Sequence, residues 1–397
     1  LLCDRALLIT ILSPSSSVSL RLCGFSHPLA MTKPQRCYVC KTPVAQPHSF
    51  YPGLCNPCGE LNHRKRHQVA DLRGKIALVT GARVNIGYAV ALNLLRSHYT
   101  VIATTRFPRD AARRYSREKD FSQWRDRLSL HRLDLRHLTA VEQFAHRIRD
   151  NSPRLDILIN NAAQTVRRLP AFYRHLRDAE RQELSPELQP LLAGNGDEEG
   201  LIPAPEFSNE QRFASSQTHF FPPGQYSEDG QQIDLRPFNS WLMKDEEVSL
   251  VEVLEVHAIN AIAPFLLNSR LKALLQEHPE RRKYIINVSS MEGRFHGGDK
   301  PWRHPHTNMA KASLHMMTCT CAKEYAKHSI FMNCVDPGWV SFQHPYPQAQ
   351  VMQNRGVCPP FDAADGAARI CDPIYESINE GRDRFGKFFK DYRAVEW

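Results

Sequence analysis

Beyond a Leu- and Ser-rich start and a cysteine-containing segment, the chain sets brief apolar runs between stretches of helical periodicity. KIALVT, residues 75–80, passes into the Gly- and Asn-containing GARVNIG and then the apolar-periodic AVALNLLRS, the pattern of a strand, a tight turn and a helix. TVIATTR, Thr100 to Arg106, is rich in β-branched residues and predicts a second buried strand. A helical stretch is expected from Asp110 through Leu128, then a third strand in LSLHRLDL that ends at Asp134 and Leu135. A helix over about Thr139 to Asn151 and a fourth strand in LDILINNAA, Leu155 to Ala163, continue the alternation. Near-continuous apolar strands separated by amphipathic helices describe a parallel sheet covered on both faces.

The alternation breaks over residues 164–246, a polar segment longer than connections inside compact domains usually are. It is expected to be a partly disordered insertion with a short helix near Phe172 to Leu184. Its acids, Asp178, Glu180, Glu183, Glu187, Asp197, Glu198 and Glu199, suit a solvated face. The pattern resumes with a helix over about Glu247 to Leu275 and a fifth strand in KYIINVSS, Lys283 to Ser290. A helix from Thr307 to Lys327, a strand from Ile330 to Gly338 and a helix near Ala363 to Ile370 follow, before an aromatic, basic tail. The predicted class is α/β, a Rossmann-type doubly wound parallel sheet with helices on both faces, occupying residues 69–397.

Composition alters this picture in four places. Lys+Arg 51 against Asp+Glu 42 gives +9, which favours anionic partners; a phosphorylated cofactor and a nucleic acid both meet that condition. No run reaches the roughly 18 consecutive apolar residues of a membrane span, so a soluble chain is expected. The eleven cysteines do not form a secreted disulfide pattern, which suits a reducing, cytoplasmic setting. Residues 1–30 are Leu- and Ser-rich; read as a transit peptide, they would direct the protein to an organelle matrix instead.

Only Cys37, Cys40, Cys55 and Cys58 form a spaced set, two CxxC pairs within residues 31–68. Four thiolates at this spacing can surround Zn2+ tetrahedrally, and so small a module needs a metal or a neighbour to hold its fold. A structural zinc knuckle is expected. The adjacent HRKRH, His63 to His67, leaves contact with a nucleic-acid backbone as an alternative, without an aromatic platform beside it.

The turn after the first strand carries Thr80, Gly81, Arg83, Asn85, Ile86 and Gly87. Glycines let a pyrophosphate approach backbone N–H groups at a helix N-terminus. TGARVNIG resembles the Thr-Gly-x-x-x-Gly-x-Gly signature of the short-chain dehydrogenase/reductase family, with Asn85 where the middle glycine is usual. Asn160, Asn161, Ala162 and Ala163 resemble that family's Asn-Asn-Ala-Gly segment, and Asp134 with Leu135 its adenine-contacting pair. The resemblance covers about residues 71 to 345 and implies a homo-oligomer. Arg106, just past the second strand, stands where NAD-preferring members carry an acid. A guanidinium there, assisted by Arg83, would hold the 2'-phosphate of NADP, with NAD as the less favoured cofactor.

The resemblance also implies hydride transfer on a small-molecule carbonyl or alcohol. Asn260 matches the family's relay Asn, Ser290 its substrate-orienting Ser, and Lys311 the Lys that contacts the nicotinamide ribose. Pro337, Gly338 and Val340 fall in the segment that closes over the nicotinamide, and residues 342–360 in the substrate lid. The proton-donating Tyr, four residues before the Lys, is replaced by Thr307. An aliphatic hydroxyl is far less acidic than a phenol, whose ordinary pKa is about 10. His306 or His304 could donate in its place. Two readings therefore stand: an NADP(H)-linked oxidoreductase with an altered proton donor, or a catalytically silent Rossmann scaffold within a larger assembly.

Overall fold

A computed structural model describes residues 35–71, 73–193, 218–227, 229–296 and 300–397; the expected leader and the acids Asp197, Glu198 and Glu199 lie outside them. Arg36 to Cys55 forms two short antiparallel bridges, and α1 (Asn56–Arg66) completes the cysteine module. The main body then runs β1 (Ile76–Thr80), α2 (Asn85–Arg96), β2 (Thr100–Thr105), α3 (Pro108–Tyr115), α4 (Phe121–Trp124), β3 (Leu128–Arg132), α5 (Leu138–Asn151) and β4 (Ile157–Asn160). Past the insertion, which holds α6 (Arg174–Arg181), come α7 (Leu250–His257), α8 (Ala263–Arg270), α9 (Lys272–Gln276) and β5 (Lys283–Val288). The chain ends with α10 (Pro305–Ala326), β6 (Ile330–Val335), α11 (Tyr346–Asn354), α12 (Ala363–Glu380), β7 (Phe388–Lys390) and β8 (Arg393–Val395).

The sheet order is β3-β2-β1-β4-β5-β6-β7-β8, parallel as far as β7. Register pairs Val79 with Ala103 on one side and with Ile159 on the other, and Ile159 with Ile286. Chain order reverses between β1 and β4, which opens a crevice at the carboxyl ends of the central strands. One apolar cluster joins the sheet to α2 and α12; another joins its opposite face to α5 and α8. Val79, Ile159 and Ile286 are fully buried, and removing each from water contributes about 1.5–3 kcal/mol.

Three expectations need correction. The single helix from Asp110 to Leu128 is broken: α3 stops at Tyr115 and α4 begins at Phe121. Arg96 fixes the intervening turn by bonding both Glu118 and Asp120. The early insertion is not simply a solvated face, because Leu184, Leu188 and Leu191 are buried and Leu192 bridges Leu130 beside β3. Glu180, its side chain nearly buried, accepts from the Asp110 amide and from Arg132. The aromatic tail folds as β7 and β8, with Asp391 and Tyr392 at positive φ in the turn. Leu250–Arg270 has the length and mean hydropathy, 1.6, of a membrane span but, as expected, no unbroken apolar run of that length. Here it packs beside α5 against the sheet, with Glu252, Glu255 and Asn260 buried.

Candidate functional site

Backbone geometry at the first turn depends on its special residues. Gly81 has φ +68°, and a Cβ there would stand 2.9 Å from the Ala162 Cα. Asn85 sits at φ +53°, in the left-handed region that Asn enters more readily than most side chains, so the position usually held by glycine keeps its conformation. A Cβ on Gly87 would fall 2.3 Å from both the Asn161 Nδ2 and the Gly81 carbonyl oxygen. The Thr80 hydroxyl accepts from the Asn161 and Ala162 amides, each at 3.0 Å, while Asn161 Nδ2 donates to the Thr80 carbonyl. These bonds stitch Asn161 and Ala162, just past β4, to the end of β1, and exposed Ala163 follows them. No side chain caps the N-terminus of α2, which leaves its first N–H groups without a side-chain partner.

The insertion reaches the β2 and β3 ends of this crevice. The Arg106 guanidinium lies 4.3 Å from the Tyr173 ring centroid and 5.4 Å from that of Phe107. Burial opposes ionisation of Tyr173, yet Arg106 and the neighbouring Arg168 and Arg136 hold its pKa below the ordinary tyrosine value. Arg83 is nearly buried and ion-paired with Asp110 at 2.8 Å, so it does not stand free beside Arg106 as expected. Asp134 receives Arg136 at 2.6 Å, with Leu135 buried next to it.

At the other end, Asn160 donates to Asn268 and Asn287, and Asn287 to Thr318, an amide ladder that braces β4, β5 and α10. Asn260 lies in a single π-turn, Ala258–Ile262, between α7 and α8, a distortion frequent at functional sites. Its side chain exchanges bonds of 2.7 and 2.9 Å with the Gln164 backbone, the first residue of the insertion. Ser290 lies two residues past β5, partly exposed. Lys311 is buried in α10, where its Nζ donates to the Val288 carbonyl at 2.9 Å. Burial brings its pKa down to about 8.

Thr307 is one helical turn before Lys311 and 2 % exposed, and its Oγ1 finds no hydrogen-bond partner among the described residues. His306 is equally buried, with Nε2 3.7 Å from Glu252 on α7, and Glu252 also accepts from Ser240 of the insertion. His304 is the left-handed residue that begins α10, stacked on Trp241 at 3.9 Å and 9°. Pro337, Gly338 and Val340 follow β6. The Gly338 amide donates to Asp336 at 2.7 Å, and Lys390 of β7 holds the same carboxylate. Ile86 and Val340 converge on Gly366 of α12, where a Cβ would stand 3.1 and 3.2 Å from them.

Two functional neighbours escaped the sequence. His315, one further turn along α10, bonds Ser289 at 2.7 Å, and burial takes its pKa down to about 4. Its spacing from Lys311 was the available signal. Arg369, 1 % exposed at its side chain, had none.

The four sulfurs of Cys37, Cys40, Cys55 and Cys58 all lie within 4.8 Å of one another, a donor set that fits a tetrahedral zinc ion. The Thr42 hydroxyl and amide bring the Cys40 thiol down to about 6, whereas burial and neighbouring thiols push Cys58 up. The nine described cysteines are all free of disulfides. Lys65 and Arg66 of HRKRH are spent inside the chain, on Asp372 and Glu376 and on Asp362 and Asp365, which removes them from the expected nucleic-acid surface.

Comparison with known proteins agrees with this geometry. A short chain dehydrogenase model matches residues 75–183, and an Enoyl-(Acyl carrier protein) reductase model matches residues 239–354. The interval between them falls within the insertion. An uncharacterized protein, R665, of Acanthamoeba polyphaga mimivirus is 30% identical over 85% of this chain and 71% of its own. Retinol dehydrogenase 13 of Mus musculus is 36% identical over 24% of this chain and 28% of its own length. Among solved structures, a short chain dehydrogenase from Shigella flexneri superposes with TM-score 0.53 at 19% identity, covering 82% of this chain and 95% of that one. The Pseudomonas aeruginosa RhlG/NADP active-site complex gives 0.51 at 19%, covering 80% and 95%.

Proposed function

Because the chain belongs to the short-chain dehydrogenase/reductase family, we propose that it is an NADP(H)-linked oxidoreductase acting on a small carbonyl or alcohol, with Thr307 and Lys311 replacing the usual Tyr and Lys pair. The observation that carries this reading is a buried ammonium with a pKa of about 8, one turn below a buried hydroxyl that lacks a partner. Residues four apart on a helix share a face.

NADPH, when bound, supplies the hydride. Its pyrophosphate would rest on the N-terminus of α2 through the Gly81 to Gly87 turn, its adenosine end against Asp134 and Leu135, and its 2'-phosphate against Arg106. Thr307 Oγ1 then hydrogen-bonds the substrate oxygen. As that oxygen becomes an alkoxide it takes the Thr307 proton; Thr307 Oγ1 has no direct bond to Lys311, whose Nζ donates to the Val288 carbonyl, so the ammonium restores the proton through an intervening water and the hydroxyl acts as a relay. Ser290 orients the same oxygen, and Asn260 fixes the α7 to α8 bend beside it. A donor with a pKa near the working pH suits general-acid chemistry, which commonly contributes 10²- to 10⁴-fold. The cysteine module holds a structural zinc ion.

NADPH consumption at 340 nm with a panel of aldehydes and ketones tests this reading. Thr307→Ala is expected to lower kcat by about 10²-fold, and Thr307→Ser by only a few-fold, because Ser keeps the relaying hydroxyl. NADPH binding without turnover on any carbonyl would instead support the silent scaffold.

The same reading includes self-association. Leu250, Leu254, Ile262 and Phe265 on the α7 to α8 helix are exposed, as are Met309 and Met316 on the adjoining α10. Apolar side chains gathered on neighbouring helices mark an interaction surface. Sedimentation equilibrium is expected to show a dimer or larger species, and Phe265→Asp with Met316→Asp to shift it to monomer.

A further inference from the structure

The turn after β6 is backed by the metal module. Tyr38, beside Cys37, sets its ring edge-on to Phe361 at 5.6 Å and lies 6.3 Å from Trp339. Tyr51 donates to Asp365 at 2.7 Å. Cys37, Tyr51, Leu54 and Phe361 form one buried cluster, against which Val340 packs. Arg369 places its guanidinium 3.7 Å over Phe361 and bonds Asn62 of α1 at 2.5 Å. Gly338 lies flush on this pair: a Cβ there would stand 3.0 Å from the Phe361 ring and 3.4 Å from Arg369 Nε.

The module contributes three fully or nearly buried apolar residues, Cys37, Tyr51 and Leu54, to that cluster. A core so small does not hold a fold by itself, and in such modules metal affinity becomes folding free energy. When the cysteines lose their ion, Phe361 loses its cover and Arg369 loses Asn62. Arg369 keeps its bond to the Asp365 carbonyl and its contacts with Asp391 and Tyr392, but the Phe361 side of the underside of Gly338 is left without the module's cover.

We infer that zinc at Cys37, Cys40, Cys55 and Cys58 braces the Asp336 to Val340 turn, with Tyr38, Phe361 and Arg369 as positioning residues between metal and turn. Given the proposed dehydrogenase reading, the braced turn is the one that closes over the nicotinamide. The ion thus governs cofactor affinity while taking no part in the chemistry.

The test compares full-length protein carrying one zinc ion per chain with the same protein stripped by a chelator and then reloaded. Amide exchange is followed without nucleotide, and NADPH affinity by fluorescence. Stripping is expected to speed exchange at least 10-fold in residues 336–342 and 361–369 while β1 and β5 stay protected, to weaken NADPH about 10-fold, and to reverse with zinc. Tyr38→Ala should retain the ion yet loosen residues 336–342, and Tyr38→Phe should behave as wild type. Release of zinc that loosens only residues 37–58, or a protein that retains no zinc with the module protected, overturns the brace. Loosening of residues 336–342 with no NADPH binding in either form keeps the brace and removes the cofactor reading.

Discussion

Lys311→Met is expected to abolish carbonyl reduction, lowering kcat by about 10³-fold, and yet to raise the melting temperature at pH 7. The first effect follows from losing the proton source beneath Thr307. The second follows from burial. The wild-type ammonium has one bond, to the Val288 carbonyl, and its pKa falls from an ordinary 10.5 to about 8. That difference corresponds to roughly 3 kcal/mol of unfavourable burial at neutral pH. Removing the ammonium also leaves the carbonyl with one donor fewer, which costs about 1–3 kcal/mol, so the net gain is about 1 kcal/mol.

The pH dependence has a definite sign. Below pH 8 the lysine is protonated both folded and unfolded, so the penalty is fully present. Between about pH 8 and 10.5 the unfolded chain binds the extra proton, and wild-type stability rises with pH through that window. Met cannot titrate. The advantage of the variant should therefore shrink from pH 8 toward pH 10.5, as thermal melts at pH 7 and pH 10 would record. Wild-type turnover in the variant would take Lys311 out of the chemistry. A variant less stable at pH 7 would show that the buried ammonium is not the burden assigned to it.

The centre of the sheet was legible because a strand buried on both faces has one sequence solution, a nearly continuous apolar run, as β1, β4 and β5 show; β3, LSLHR, at the edge, alternates instead. Asn85 was legible for a related reason: a required positive φ restricts the residue types that fit. The break in the helix before β3 was not. It depends on Arg96 reaching across from α2 to Glu118 and Asp120, a contact between elements that local periodicity does not encode. The tail was missed because strands of three residues are too short for a period of two to stand out.

Much of the site followed from spacing. Thr307 and Lys311 share a helix face by counting, and the four cysteines announce their cluster by two CxxC pairs. Tertiary partners stayed hidden. Arg83 sits in the expected turn but is taken by Asp110, a residue that sequence assigns to a different helix. Trp241 comes from a stretch without periodicity and Tyr173 from the start of a short helix expected within the insertion, and nothing in their local surroundings placed one on His304 and the other on Arg106. The role of Lys65 and Arg66 was also hidden, because a basic run reads alike whether it meets solvent phosphate or the acids of α12.

The adenosine end of the crevice carries the second large effect. A 2'-phosphate brings about two negative charges to a guanidinium beside Tyr173, and a charge-assisted contact of this kind is worth about 1.5–3 kcal/mol. NADH lacks that phosphate and gains nothing from it. Arg106→Ala should therefore weaken NADPH by about 10- to 100-fold and leave NADH within a few-fold. The measurement that tests the central claim most directly is a fluorescence titration of zinc-loaded wild type and Arg106→Ala with each nucleotide. Tight NADPH binding, weak NADH binding and loss of the difference in the variant are expected; a wild type that binds neither nucleotide would rule out the NADP-linked reading.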